Sequence, residues 1–108
     1  MKGTNVGELE ELIMLTVALL YDEAYGVAIM KEIKERCDRS ITISTVHAAL
    51  ARLQSKGYVD SRYGDATSER GGRRKHLFRV TKQGQEVLEN VKQQRNAIWG
   101  DIPKVAFD

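Results

Sequence analysis

With 108 residues, 42% of them hydrophobic, and 17 Lys plus Arg against 15 Asp plus Glu, the chain suits one packed domain and is too apolar for a disordered segment of net charge +2. Its longest apolar run, Leu12 to Leu20 with Thr16 inside it, is less than half of the roughly 20 residues that a membrane helix needs, and no basic start followed by an apolar stretch and a cleavage site marks it for secretion. Cys37 is the sole cysteine, which excludes an internal disulfide, so the expected location is the cytoplasm and the fold must stand on packing.

Gly7 to Tyr21 reads as the first helix. Leu9, Leu12, Ile13, Thr16 and Leu20 recur at helical spacing, yet Met14, Leu15, Val17, Ala18 and Leu19 fill much of the opposite side. A helix apolar nearly all round needs cover on two sides. In so small a domain the second cover is expected from another copy of the chain, which predicts a homodimer. Glu8, Glu10 and Glu11 at its start favourably oppose the helix dipole and need no catalytic role.

A second helix is predicted from about Tyr25 to Cys37, with Val27, Met30, Ile33 and Lys34 or Cys37 on its inner stripe; Cys37 is expected to be inert packing. Ile41, Thr42 and Ile43 have strand character enough for one rung of a small sheet. Ser44 is placed to cap a third helix over about Thr45 to Lys56, closed by Gly57. Val46, Ala49, Leu50 and Leu53 form the inner face of that helix, and its outer face carries no acid.

Strands are expected over Tyr58 to Tyr63 and Leu77 to Val80, flanking a basic loop from Gly64 to His76. Arg62 to Lys82 holds seven basic residues against two acids, a local charge of +5 that leaves −3 for the remainder; the first 23 residues hold five acids and one Lys. Charge so concentrated attracts phosphate on one side of the molecule. Thr81 is placed to cap a last helix from about Lys82 to Trp99, whose Val87, Leu88, Val91, Ile98 and Trp99 form a narrow seam interrupted by Arg95; the final residues look frayed.

Helix, helix, short strand, helix, strand, basic loop, strand, helix is the order of a winged helix-turn-helix, a mainly α fold with a small β-hairpin. On this reading residues 1–81 form the DNA-binding unit, with the recognition helix at about 45–56 and the wing at about 64–76, and residues 82–108 supply a dimerisation helix and tail of the same compact domain. A helix fits the major groove, where Thr45, His47 and Ala48 are candidates for base edges, with Ser44 and Arg52 for phosphates. Arg70, Arg73, Arg74 and Lys75 would meet phosphates or enter the minor groove, and Gly71 and Gly72 allow close approach. No nucleophile elbow, zinc-protease helix, phosphate-binding loop or dinucleotide fingerprint is present, so an enzyme is not expected. His47, His76 and Cys37 lack the close pairing of zinc ligands, and neither a metal nor any other cofactor is expected.

Gly7-Glu8-Leu9-Glu10-Glu11-Leu12-Ile13, Ala24-Tyr25-Gly26, Ser44-Thr45-Val46, Leu50-Ala51-Arg52-Leu53, Lys56-Gly57-Tyr58-Val59, Glu69-Arg70-Gly71-Gly72-Arg73-Arg74-Lys75 and Thr81-Lys82-Gln83-Gly84 follow one another in the chain. This ordered set resembles the PadR family of bacterial transcriptional regulators over about Gly7 to Val91, in its short branch. The family pattern usually has Tyr after the Thr-Val that heads the recognition helix; this chain has His47, which bears on base preference. The resemblance implies a homodimer on a pseudo-palindromic operator in double-stranded DNA, with Tyr25 added to the DNA-contacting set. It also implies dimer contacts through the first and last helices, here Leu9, Leu12, Ile13, Leu88, Val91 and Ile98. Repression relieved by a planar aromatic effector is a further implication, with Met14, Ile98 and Trp99 lining the effector site. The competing expectation is a winged-helix module that binds an acidic protein and no DNA.

Overall fold

The computed structural model describes residues 6–66 and 74–108. Four helices and one hairpin follow in the expected order: α1 (Glu8–Leu20), α2 (Gly26–Cys37), α3 (Ile43–Ser55), β1 (Val59–Ala66), β2 (Arg74–Val80) and α4 (Lys82–Asp101). Single 3-10 turns lie at Tyr21–Glu23 and Lys104–Phe107.

α1, α2 and α3 pack around a common core of Ile13, Met14, Val17, Ile29, Ile33, Val46, Ala49, Leu50 and Leu53, closed on the hairpin side by Tyr58, Val59 and Phe78. The inner face of α3 is the predicted one residue for residue. Gly57 follows it with φ of 81°, a left-handed conformation that favours glycine. At the head of α4 the Thr81 hydroxyl accepts from the Gly84 amide at 3.0 Å and donates to the Gly57 carbonyl at 2.7 Å, tying that helix to the end of the preceding one.

β1 and β2 pair antiparallel from Val59↔Val80 to Tyr63↔His76, with an irregularity before Ala66↔Arg74. The hairpin is anchored by a bridge between Tyr25 and Leu77 and by the Phe78 amide, which donates to the Ala24 carbonyl at 2.8 Å. The third rung is therefore Tyr25, and Ile41 to Ile43 form none. Thr42 instead caps α3, its hydroxyl accepting from the Thr45 amide at 3.1 Å, so the helix begins at Ile43 and Ser44 lies inside it.

Other differences concern which way the helices face. In α1 the buried side chains are Glu10, Ile13, Met14, Thr16 and Val17, a face turned by about one residue from the predicted stripe, while Leu9 and Leu12 are half-buried. In α2 the core residues are Ile29 and Ile33; Val27 is exposed, and so is Cys37, which does not pack as expected. The tail past α4 is folded, with Phe107 returning to within 6.1 Å of the Trp99 ring. Among the described residues no helix is long and apolar enough to cross a membrane.

Candidate nucleic-acid interface

Because Val46, Ala49, Leu50 and Leu53 all point inward, α3 must turn Ser44, His47, Ala48 and Ala51 to the outside, and each of them is exposed. Thr45 is half-buried; its hydroxyl accepts from Thr42 at 2.9 Å, and the Ser44 and Thr42 hydroxyl oxygens lie 3.1 Å apart. This outer face offers hydroxyls, an imidazole and a methyl group with no carboxylate, a set suited to base edges and phosphate oxygens.

Arg52, expected at a phosphate, is exposed and also tied to α1. Its Nε donates to Glu10 Oε2 at 2.7 Å, and Lys56 Nζ donates to Oε1 of the same carboxylate at 2.9 Å. Glu10 is only 8% exposed, so α1 and the end of α3 are joined by a buried carboxylate held by two cations. Burial alone would raise the Glu10 pKa, but the hydrogen bonds and positive charges of Arg52 and Lys56 outweigh it and hold the carboxyl below its ordinary value. A carboxyl depressed in the folded state stabilises the fold above its unfolded pKa of about 4.3, and that contribution vanishes as pH falls through the folded value. Glu10→Gln is accordingly expected to cost about 1 to 2 kcal/mol at pH 7 in urea denaturation, with the gap to wild type closing towards pH 3. A gap independent of pH would contradict the account.

The other acids at the start of α1 also bridge elements: Glu8 takes two hydrogen bonds from Arg39 Nη1, at 2.8 and 2.9 Å, and Glu11 meets Arg95 of α4 at 3.4 Å. Sequence patterning assigns all three to the helix dipole. Their cationic partners lie 31 to 84 residues away, a separation at which local patterns carry no signal.

On the wing, the cations divide between two faces. Asp22 lies 3.8 Å from Arg62 and 3.5 Å from Arg79, so one carboxylate is shared by two cations of the basic segment on the side away from Tyr63 and His76. Lys75 meets Glu23 at 3.2 Å and lies over the Tyr25 ring at 4.7 Å, which brings two expected DNA-contacting residues together. Arg74 is exposed and donates from Nε to the Gly64 carbonyl at 3.0 Å, beside Tyr63, whose ring stacks on His76 at 4.5 Å. Arg70, Gly71, Gly72 and Arg73 lie outside the described residues.

The residues expected at the dimer and effector sites separate in the same way. Leu88 and Val91 are half-buried, and Ile98 and Trp99 stand out at 65% and 66% exposure. Ile13, expected in a dimer contact, and Met14, expected beside an effector, are both completely buried and reach neither site, because the core side of α1 is the side they occupy. Between α1 and α4 runs a groove of about 470 Å³ lined by Leu15, Leu88 and Trp99 together with Glu11, Lys92 and Arg95.

Residues 14–90 match the model of the transcriptional regulator PadR-like family. A PadR family transcription regulator from Clostridium difficile is 31% identical and superposes with a TM-score of 0.66, covering 84% of this chain and 91% of that one. A PadR family regulator from Eggerthella lenta is 27% identical with a TM-score of 0.67, covering 92% and 86%. A PadR-like transcription factor from Bacteroides fragilis, at 21% identity, TM-score 0.71 and coverage of 83% and 82%, shares the fold. A Lysinibacillus sphaericus protein of uncharacterised function is 29% identical over 101 residues, 92% of this chain and 84% of that protein. The acid-free outer face of α3, the basic hairpin beside it and a family match over most of the chain converge: this protein belongs to the PadR-like family of DNA-binding transcriptional regulators.

Proposed function

We propose that the protein is a homodimeric repressor that reads a pseudo-palindromic operator with α3 and grips its backbone with the wing. The observation carrying this reading is the exposed, acid-free surface of Ser44, His47 and Ala48 on a helix whose opposite face is wholly committed to the core. His47 and Ala48, with Thr45 beside them, are assigned to base edges; Ser44, Tyr25, Arg70, Arg73, Arg74 and Lys75 to phosphates, with Gly71 and Gly72 allowing the loop to approach. Arg52, bound to Glu10 through Nε alone and with its side chain 54% exposed, is assigned to phosphates as well.

Dimerisation is supported by the uncovered apolar side chains Leu15, Leu19, Ile98 and Trp99 and by the length of α4, which leaves residues 92–101 exposed in a molecule measuring 58 × 29 × 20 Å. A second copy laid against α1 and α4 covers all four and presents two recognition helices to half-sites about 34 to 36 Å apart, or a multiple of it. Release by a planar aromatic effector is assigned to the α1–α4 groove, which Trp99 lines and Ile98 does not; Trp99, the sole tryptophan, reports binding by its fluorescence.

The test is fluorescence anisotropy of the purified protein on labelled duplex from upstream of its own gene and on scrambled duplex, each at two salt concentrations. Tighter, salt-sensitive binding to the upstream duplex with two protomers per site is the expected result. Absence of binding to both duplexes would put the protein-binding winged-helix module in its place. An unchanged Trp99 spectrum across a panel of planar aromatics would remove the effector.

A further inference from the structure

Gly26 is the first residue of α2, is buried, and has no left-handed backbone to explain a glycine. Space explains it. A Cβ at Gly26 would lie 2.9 Å from Cε1 and 3.0 Å from Nε2 of His47, and 3.1 Å from Cδ1 of Ile43. The imidazole of the recognition helix therefore lies against the bare backbone of the neighbouring helix, in space that any other residue would fill. From this we infer that Gly26 is a positioning residue for DNA sequence preference: it is the platform that holds His47 in its reading orientation.

The inference rests on α3 being the base-reading helix and adds which residue sets the geometry of the reader. His47 is exposed on a helix surface, where an imidazole without support samples several rotamers and loses that freedom on binding. Backbone beneath the ring restricts it before DNA arrives. An added methyl meets only the far ends of two exposed side chains, the His47 ring and Ile43 Cδ1, each free to turn about two bonds, so they swing away while the core of Ile29, Ile33, Val46 and Leu50 stays closed. The substitution thus separates reading from folding, because alanine at this helical position restricts the unfolded chain and tends to stabilise.

The experiment compares wild type, Gly26→Ala, His47→Ala and the double variant as full-length protein. Wild type first selects duplexes from a random library, and all four are then titrated onto the selected duplex and its scrambled version. Gly26→Ala is expected to lower the preference for the selected duplex by about fivefold to tenfold, the low end of a good base contact, with binding to scrambled duplex and melting temperature unchanged or raised. The double variant is expected to match His47→Ala alone, since a platform without its reader does nothing. In the NMR spectrum, wild type should show a cross-peak between the His47 ring proton on Cε1 and the Gly26 α-protons, with the ring signal displaced in Gly26→Ala.

Unaltered preference in Gly26→Ala overturns the inference, as does a double variant whose loss is the product of the two single losses. A parallel loss of melting temperature and of binding to both duplexes would make Gly26 a packing residue only. If wild type selects no motif, sequence-specific reading by α3 fails and the role of Gly26 falls with it; a selected motif indifferent to Gly26→Ala removes the platform alone.

Discussion

Gly84→Ala is expected to destabilise the domain by about 2 to 4 kcal/mol, although alanine is the better helix former by about 1 kcal/mol. Gly84 is a buried residue in the first turn of α4. A Cβ there would run into the carbonyl oxygen of Tyr58 and come within 2.9 Å of Val80 Cγ1. Unlike a methyl added at Gly26, this one meets backbone, which has no rotamer to retreat into. The Tyr58 carbonyl is also the acceptor for the Thr81 amide at 3.0 Å, while the Tyr58 amide donates to the Leu53 carbonyl at 2.9 Å. Pushing α4 away therefore strains the cap of α4, the entry to β1 and the exit from α3 together. The expected readout is a fall in melting temperature of roughly 10 °C or more; equal or higher stability would show that the junction yields freely.

Changing Arg73 and Arg74 together to Ala is expected to weaken binding to every duplex, by roughly 100-fold or more near 0.1 M salt. A dimer gives up four guanidinium groups by this change. At about 0.9 counterion per phosphate, the slope of log K against log salt should flatten by about 3 to 4. Arg74 is exposed and its hydrogen bond to the Gly64 carbonyl is at the surface, so folding stability should move by less than about 0.5 kcal/mol. The contrast with His47→Ala is diagnostic: removing a phosphate-binding group costs all sequences alike, whereas removing a base-reading group shifts preference among them by about 1 to 3 kcal/mol. Affinity and slope both unchanged in the arginine variant would take the wing off the DNA.

These two outcomes test features that differ in how far the chain itself announces them. The inner stripe of α3, the Gly57 stop and the Thr81 cap are all local patterns, each written within about a dozen residues, and each stands in the structure as expected; the hairpin stands too, but its strands run on to Ala66 and start at Arg74, inside the span 64–76 read as loop. The positions that depart from expectation share a different property. Ile41 to Ile43 carry strand-forming side chains, but the Thr42 hydroxyl is better placed than that of Ser44 to satisfy the free amide of Thr45, and a cap decides where a helix begins. α1 is apolar on so many sides that periodicity could not choose among them; the choice fell to Glu10, which turns inward because Arg52 and Lys56 meet it there. That rotation buries Met14 and leaves Leu15 and Leu19 outside.

The candidate interface shows the same division. Residue types and their spacing on α3 were legible because a helix with four inward positions has its outward positions determined by geometry alone. The net charge of the basic segment was legible as arithmetic, but its direction was not: Asp22 and Glu23, in the turn after α1, sit against Arg62, Arg79 and Lys75 only once the hairpin has docked on that turn. By itself, then, the amino-acid sequence determined the order of the four helices and the hairpin, the outward face of α3 and the net charge of the basic segment, since these follow from periodicity, capping and composition within short stretches. Only the tertiary structure decided which face of α1 is core, which cations sit beside carboxylates, and that Gly26 lies beneath His47, because each of these is set by groups brought together from distant parts of the chain.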